Sequence, residues 1–263
     1  MNKRNLGAAY RANTLLLLAA VGYASTRQVA RSVWGRCDES SRRMASRLLR
    51  RLHEQRYVVR RREDDGIAMA NQELLFALTQ SGADEVRRLG SSLVAAKVHA
   101  RDYLRHAHSH RTACNGVYVA WPNPSIWSEL EVRVGEAPVT EFSYQMDGEK
   151  LGKIPDLIAA DGRGYEWIEV ENSWRSEKDL VKVVECMREM FSHSSDPHIT
   201  RMHFIVTVLS AKTIGQRLKK RLTHGPDSGW PRQVKELDAR ILSQHLRVSE
   251  FDSETLELRT LAL

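Results

Sequence analysis

Residues 153–172 read KIPDLIAADGRGYEWIEVEN. Two apolar-rich runs, 153–160 and 165–171, flank Asp161-Gly162-Arg163-Gly164, a cluster of turn-forming residues, so the segment predicts a β-hairpin. A turn centred between Gly162 and Arg163 sets Asp156 opposite Glu169, and a two-residue or a four-residue loop about that centre gives the same register. Glu169 and Glu171 are two apart on one strand and so share a face. The pattern therefore gathers Asp156, Glu169 and Glu171 at one end of one hairpin. Leu157, Ile168 and Val170 fall on the other face, and Ile154, Ile158 and Trp167 lie among the carboxylates.

Like charges set opposite each other in a sheet are destabilising by roughly 0.2–1 kcal/mol, and by more when buried. A divalent cation resolves the conflict, because Mg²⁺ takes one or two carboxylates together with water and phosphate oxygens. The expectation is Mg²⁺ or Mn²⁺ held by Asp156, Glu169 and Glu171. The competing reading is a solvated acidic strand face with no metal; Ile154, Ile158 and Trp167 on that face argue against a simply wet surface.

The chain of 263 residues is long enough for one large or two small domains. Its net charge of +7 is unevenly placed. Residues 1–112 hold 21 Lys/Arg against 10 Asp/Glu, a surplus of +11, and the remainder holds 19 against 23, a balance of −4. A basic front and a mildly acidic back suggest a nucleic-acid binder joined to a second module. Cys37, Cys114 and Cys186 match neither a disulfide framework nor a zinc spacing, which points to a reducing, cytoplasmic setting. Lys3 and Arg4 ahead of LLLLAAVGYAS imitate a signal peptide, but the pattern runs on into TRQVARSVW and reads as a first core helix. No other stretch is long enough to span a bilayer, so the sequence predicts a soluble protein with no membrane segment.

Residues 13–22 predict a short buried helix capped by Asn13 or Thr14, and Thr26 caps a second helix, RQVARSVW. A third begins near Ser40-Ser41 and runs RRMASRLLRRLHEQ, with Met44, Leu48, Leu49 and Leu52 as its apolar stripe. Two strand-like pieces, YVVRRRE and ELLFALT, follow, and Leu78-Thr79-x-x-Gly82 opens another helix. Three helices and a basic hairpin predict a winged helix-turn-helix over 1–95. In that geometry Ser40, Ser41, Arg42, Arg43, Arg47 and Arg50 approach the major groove, and Arg60, Arg61 and Arg62 contact phosphates. A solvated arginine-rich face and a protein-binding winged helix are the alternatives.

A second domain is expected over 96–263. His106, His108 and His110 sit in a helical stretch where His106 and His110 share a face at i, i+4. A polar cluster is the plainer account of them; His110 is the one placed beside the site. Glu129, or Glu131, could add an acidic group to the metal. Beyond the hairpin, residues 176–191 predict an amphipathic helix with Leu180, Val184, Met187 and Phe191 inside. A buried strand follows at 202–209 and a basic helix at 211–222, whose Arg217, Lys219, Lys220 and Arg221 suit phosphate contact. Strands near 246–251 and 255–260 complete an α/β core with a mixed sheet.

Pro155-Asp156 on one strand and Glu169-Val170-Glu171 on the next resemble the PD-(D/E)XK restriction-endonuclease-like motif, with Glu171 where lysine is usual. With the winged helix in front, the whole chain resembles the replication-relaxation family and the related MOBC-type relaxases of mobile plasmids. That resemblance implies an α+β or α/β fold, an N-terminal winged helix and a nuclease-like mixed-sheet domain. It also implies metal-dependent nicking of one strand of double-stranded DNA at a plasmid transfer or replication origin, alongside relaxosome or accessory proteins. Asp156, Glu169 and Glu171 would then be catalytic metal ligands, and Lys178 or Lys182 would supply the positive charge that residue 171 does not. Tyr103, Tyr118 and Tyr144 are nucleophiles open to a covalent route. A non-catalytic DNA-binding replication or relaxation factor, or a regulator, is the alternative; a restriction-type nuclease is a third reading.

Overall fold

The computed structural model describes residues 3–62, 74–90, 109–172, 176–192, 198–207, 211–223 and 232–261. It is mixed α and β and divides into two compact units. The first takes in Met1–Ala120, Ser128–Glu136 and Ser253–Leu256; the second takes in Trp121–Trp127, Ala137–Asp252 and Glu257–Leu263.

In the first unit, α1 (Lys3–Val21) starts ten residues ahead of the expected cap. Nothing in KRNLGAAYRANT stops a helix, and Thr14 is fully buried within it, its hydroxyl donating to the Tyr10 carbonyl 2.8 Å away. Gly22, at φ 80°, ends the helix. A three-residue strand, β1 (Tyr23–Ser25), fills what the sequence left as a connector. Ser25, rather than Thr26, caps α2 (Thr26–Trp34) through a reciprocal box with Gln28. Asp38 caps α3 (Glu39–Glu54), whose inward stripe is Ser41, Ala45, Leu49 and Leu52.

The strands β2 (Val58–Arg62) and β3 (Leu74–Leu78) pair antiparallel, and β1 joins the far edge of β3. Thr79 then caps α4 (Gln80–Arg88), and Gly82 has a local reason: a Cβ there would lie 2.1 Å from the Tyr57 carbonyl oxygen. Three helices and an antiparallel sheet are compatible with the expected winged helix. The unit continues past residue 95, because α5 (Ser109–Ala120) is bonded into it. Asn115 donates to the carbonyl of Tyr23 at 2.8 Å, and Gln28 donates to that of Thr112 at the same distance. The short α6 (Glu129–Arg133) is capped by Ser128.

In the second unit a six-stranded sheet runs in the order β11-β10-β9-β8-β7-β4. Its members are β4 (Ile126–Trp127), β7 (Leu157–Ala160), β8 (Tyr165–Glu171), β9 (Ile199–Val206), β10 (Leu246–Asp252) and β11 (Glu257–Leu261). The β8–β9 and β9–β10 pairs are parallel and the others antiparallel. Parallel pairs need crossovers, and these are supplied by α7 (Glu177–Ser192) and by α8 (Ala211–Thr223) with α9 (Arg232–Arg240). Trp167, Ile158, Phe204, Leu157, Ile168 and Val248 fill the core on both faces. Burying each such side chain contributes about 1.5–3 kcal/mol.

A separate hairpin pairs β5 (Phe142–Met146) with β6 (Glu149–Lys153). The sequence reading passed over it, although Asp147-Gly148, both at positive φ (54° and 81°), is strong two-residue turn chemistry. It also passed over α9, which is anchored from within: Arg188 of α7 holds the buried Asp238 by two hydrogen bonds of 2.9 and 2.6 Å.

The β7–β8 hairpin has the predicted register. Leu157 faces Ile168 and Ile158 faces Trp167, so one further step sets Asp156 against Glu169. The four-residue turn is fixed by Asp161, whose carboxylate accepts from the N–H groups of Arg163 and Gly164 (2.9 and 3.0 Å) and from the Thr200 hydroxyl (2.6 Å). Burial opposes ionisation of Asp161, but these three donors outweigh it and hold the carboxyl below its ordinary value. The stability it contributes is therefore present above the unfolded value of about 3.9 and is lost as pH falls through the lower folded one. Asp161→Ala should lower urea stability at pH 7 by about 1–3 kcal/mol and flatten the acid limb of the stability curve. Unchanged stability would remove the turn as the source of the register.

Candidate functional site

Asp156 stands at the mouth of the hairpin. Its N–H donates to the Ile168 carbonyl (3.1 Å), and its carboxylate accepts from the N–H of Val170 (2.8 Å). The side chain thus takes a bond that a continued ladder would give to backbone, which fixes the half-buried carboxylate against β8. Pro155 ahead of it is buried and brings no N–H of its own to satisfy.

Across the pair, Glu169 is 2% exposed. Its Oε1 accepts from the Trp167 indole N–H at 2.6 Å, and its Oε2 accepts from Lys153 Nζ at 2.7 Å. Glu171, 3% exposed, follows on the same face, and its carbonyl receives the N–H of Thr207. Three carboxylates, a tryptophan and a lysine therefore belong to one strand face and the strand end beside it. Cys186 of α7 is an electrostatic neighbour. Burial pushes its thiol up to about 12, Lys153 pulls it down and Glu169 raises it.

The lysine is the residue that the sequence reading missed. Lys178 is exposed and Lys182 half-exposed on α7, whereas the ammonium that reaches Glu169 belongs to Lys153, which ends β6 three residues before Asp156. The signal was present in the sequence as a cation beside Pro155-Asp156, but the pairing spans sixteen residues and depends on where β6 ends.

Glu129 is committed elsewhere. It lies in the first unit, 4% exposed, between Arg111 (3.2 Å) and Arg133 (2.7 Å). Glu131 closes the Ser128 capping box, and burial raises its carboxyl. These two acids are parts of the fold of their own unit, which corrects the expectation of an extra ligand from them. His110 is also in the first unit, on α5, with Nε2 3.5 Å from Cys114 Sγ. His106, His108 and Tyr103 lie outside the described residues. Of the other tyrosines, Tyr118 is half-buried and Tyr144 buried, and burial raises the phenol of each. Both are thereby poorer nucleophiles at neutral pH.

A second buried polar array, unforeseen, occupies the opposite sheet face. Glu166 Oε1 lies 3.1 Å from His203 Nδ1, and His203 Nε2 lies 2.7 Å from Ser249 Oγ, which donates to Thr260. Desolvation lowers His203, while Glu166 is held low against its burial by His203, Arg201 and Arg247. The order of groups is that of an acid–base–hydroxyl triad. Ser249, however, is 1% exposed and has no approach for a substrate, so the array ties β8, β9, β10 and β11 together.

On the first unit, Arg42, Arg43, Arg47 and Arg50 of α3 and Arg60 of β2 are exposed, and Arg61 is half-buried. Arg43 pairs with Glu39; the side chain of Arg62 lies outside the described set. Ser41 is corrected. It is fully buried and its hydroxyl donates to the Asp38 carbonyl at 2.9 Å, because the helix starts at Glu39 and turns residue 41 inward. In α8, Arg217 and Arg221 both grip Glu177, and Lys219 and Lys220 are exposed. Among the described residues, no helix is long and apolar enough to cross a membrane.

A search of curated proteins finds no match. Among solved structures the chain is similar to protein VC1899 from Vibrio cholerae, with 13% identity and a TM-score of 0.27 over 90% of this chain and 54% of that one. The chain thus spans about half the length of VC1899, and a likeness at this level carries no argument. The family model described as replication-relaxation matches residues 15–185, which take in the C-terminal part of α1, α2 to α4 and the whole β7–β8 hairpin with its carboxylates. The chain belongs to the replication-relaxation family.

Proposed function

We propose that this protein is a metal-dependent DNA endonuclease that nicks one strand of duplex DNA at a plasmid or mobile-element origin of transfer. Family membership points to a role in DNA replication or relaxation. The observation that carries the finer reading is the pairing of Asp156 with Glu169 across the β7–β8 register, with Lys153 on the same carboxylate.

The donor set suits a hard cation. Asp156, Glu169 and Glu171 offer only carboxylate oxygens, the chemistry that Mg²⁺ or Mn²⁺ takes together with water and phosphate oxygens. Asp156 and Glu169, set opposite each other across the β7–β8 register, would hold the ion, with Glu171 next along the same strand face; when bound it supplies Lewis-acid polarisation of a scissile phosphate. The chain's own groups do the rest. The Val170 N–H fixes the Asp156 carboxylate, and the Trp167 N–H aims that of Glu169. Trp167 and Ile158, both fully buried, keep water from the inner side. The exposed arginines of α3, with Arg60, bring duplex DNA to the protein through its phosphates. Relaxosome or accessory proteins would be the partners at such an origin.

One observation favours a second reading, that of a non-catalytic DNA-binding replication or relaxation factor. Both oxygens of Glu169 already have protein donors, so the carboxylates do not need an ion for the fold to stand.

Supercoiled plasmid carrying a cognate origin separates the readings. With Mn²⁺ the nicking enzyme yields open circles, a restriction-type nuclease yields linear product, and a binding factor leaves the plasmid unchanged. Asp156→Asn keeps an acceptor for Val170 and loses the charge; it should reduce nicking by more than about a hundredfold, as chelator does, with DNA affinity intact. Full activity in that variant would refute the assignment. Arg47→Ala should weaken binding to all duplexes and lower the slope of log affinity against log salt by about 0.9. An unaltered slope would take α3 out of contact with phosphate.

A further inference from the structure

Trp167 donates to Glu169 as a neutral group and Lys153 as a charged one, and the ion pair is enclosed: the side chains are 17% and 3% exposed. Enclosed ion pairs persist because either partner alone would be left as an uncompensated buried charge. A divalent cation at Glu169 would compete for that same carboxylate and would repel the ammonium. The lysine head can leave without moving the backbone, since it rides on a flexible four-carbon stem with three rotatable donors. Lys153 also stands three residues ahead of Asp156 in the chain.

We propose that Lys153 is the exchangeable counter-ion of the cation site: its ammonium neutralises Glu169 when no divalent ion is bound and turns to a phosphate oxygen of the DNA when one is. This rests on the nuclease reading and adds how the site is charged in each state. It gives the buried Glu169 a counter-charge from within the chain. It also explains why position 171 can hold a third acid, because the ammonium of the site arrives from β6. Lys178 and Lys182 are not needed for it.

The test is calorimetric titration of Mn²⁺ into the full chain, for the wild type, Lys153→Met and Glu169→Gln. Removing the competing ammonium should tighten Mn²⁺ binding at least about tenfold, and Glu169→Gln should weaken it. Mn²⁺ should also raise the melting midpoint of Lys153→Met by more than that of the wild type, a comparison that holds even if the variant is less stable without metal. In plasmid nicking Lys153→Met should be the poorer enzyme despite holding the ion more tightly. Mn²⁺ binding that is equal or weaker in Lys153→Met, with the wild type still binding, overturns the exchange alone and makes Lys153–Glu169 a fixed structural pair. Failure of the wild type itself to bind Mn²⁺ overturns the cation site, and the exchange with it.

Discussion

The register of one hairpin decides what the acidic residues of this chain can do. A slip of one residue between β7 and β8 would carry Asp156 to the other side of its strand and break the opposition with Glu169. Two constraints prevent the slip. Asp161 gathers two backbone N–H groups and the Thr200 hydroxyl around the turn. At the open end, Asp156 takes the Val170 N–H. Both constraints are carboxylates used as acceptors, and one of them, Asp156, belongs to the site whose geometry it helps to hold.

The charge balance around Glu169 follows from that geometry. The buried Glu169 and the half-buried Asp156 opposite it would repel each other, and the fold answers with neutral and charged donors: an indole N–H and an ammonium on Glu169 and a backbone N–H on Asp156. The arrangement gives the buried carboxylates donors from within the chain. Arg188 and Asp238 show the contrasting solution elsewhere in the unit. There Arg188 holds the enclosed Asp238 by two hydrogen bonds, with Glu185 on the same guanidinium, and docks α9 on α7.

The parts of the fold legible in the sequence were those set by local chemistry. Turn residues and alternation gave the β7–β8 pairing, and the apolar stripe of Leu180, Val184, Met187 and Phe191 gave α7. The arginines of α3 were legible as an exposed set, but Ser41 was not, because moving the helix start to Glu39 rotates it into the first turn. What escaped depended on contacts distant in sequence. Lys153 meets a partner sixteen residues on, Asp238 meets one fifty residues back, and the Glu166–His203–Ser249 array spans three strands. Glu129 reads in isolation as a surface glutamate that could serve as a ligand; only the structure shows it buried with two arginines on it.

The first unit contributes a basic helix and sheet compatible with a winged helix, and the second contributes the carboxylates; the family model runs through both. The central claim concerns a single position in the second unit, the space claimed by Asp156, Glu169 and Lys153. Anomalous scattering from crystals soaked in Mn²⁺ tests it most directly. The account predicts one Mn²⁺ peak within coordination distance of both Asp156 and Glu169, with Lys153 Nζ drawn away from Oε2. Crystals in which Mn²⁺ binds elsewhere or not at all, with Lys153 still on Glu169, would contradict it.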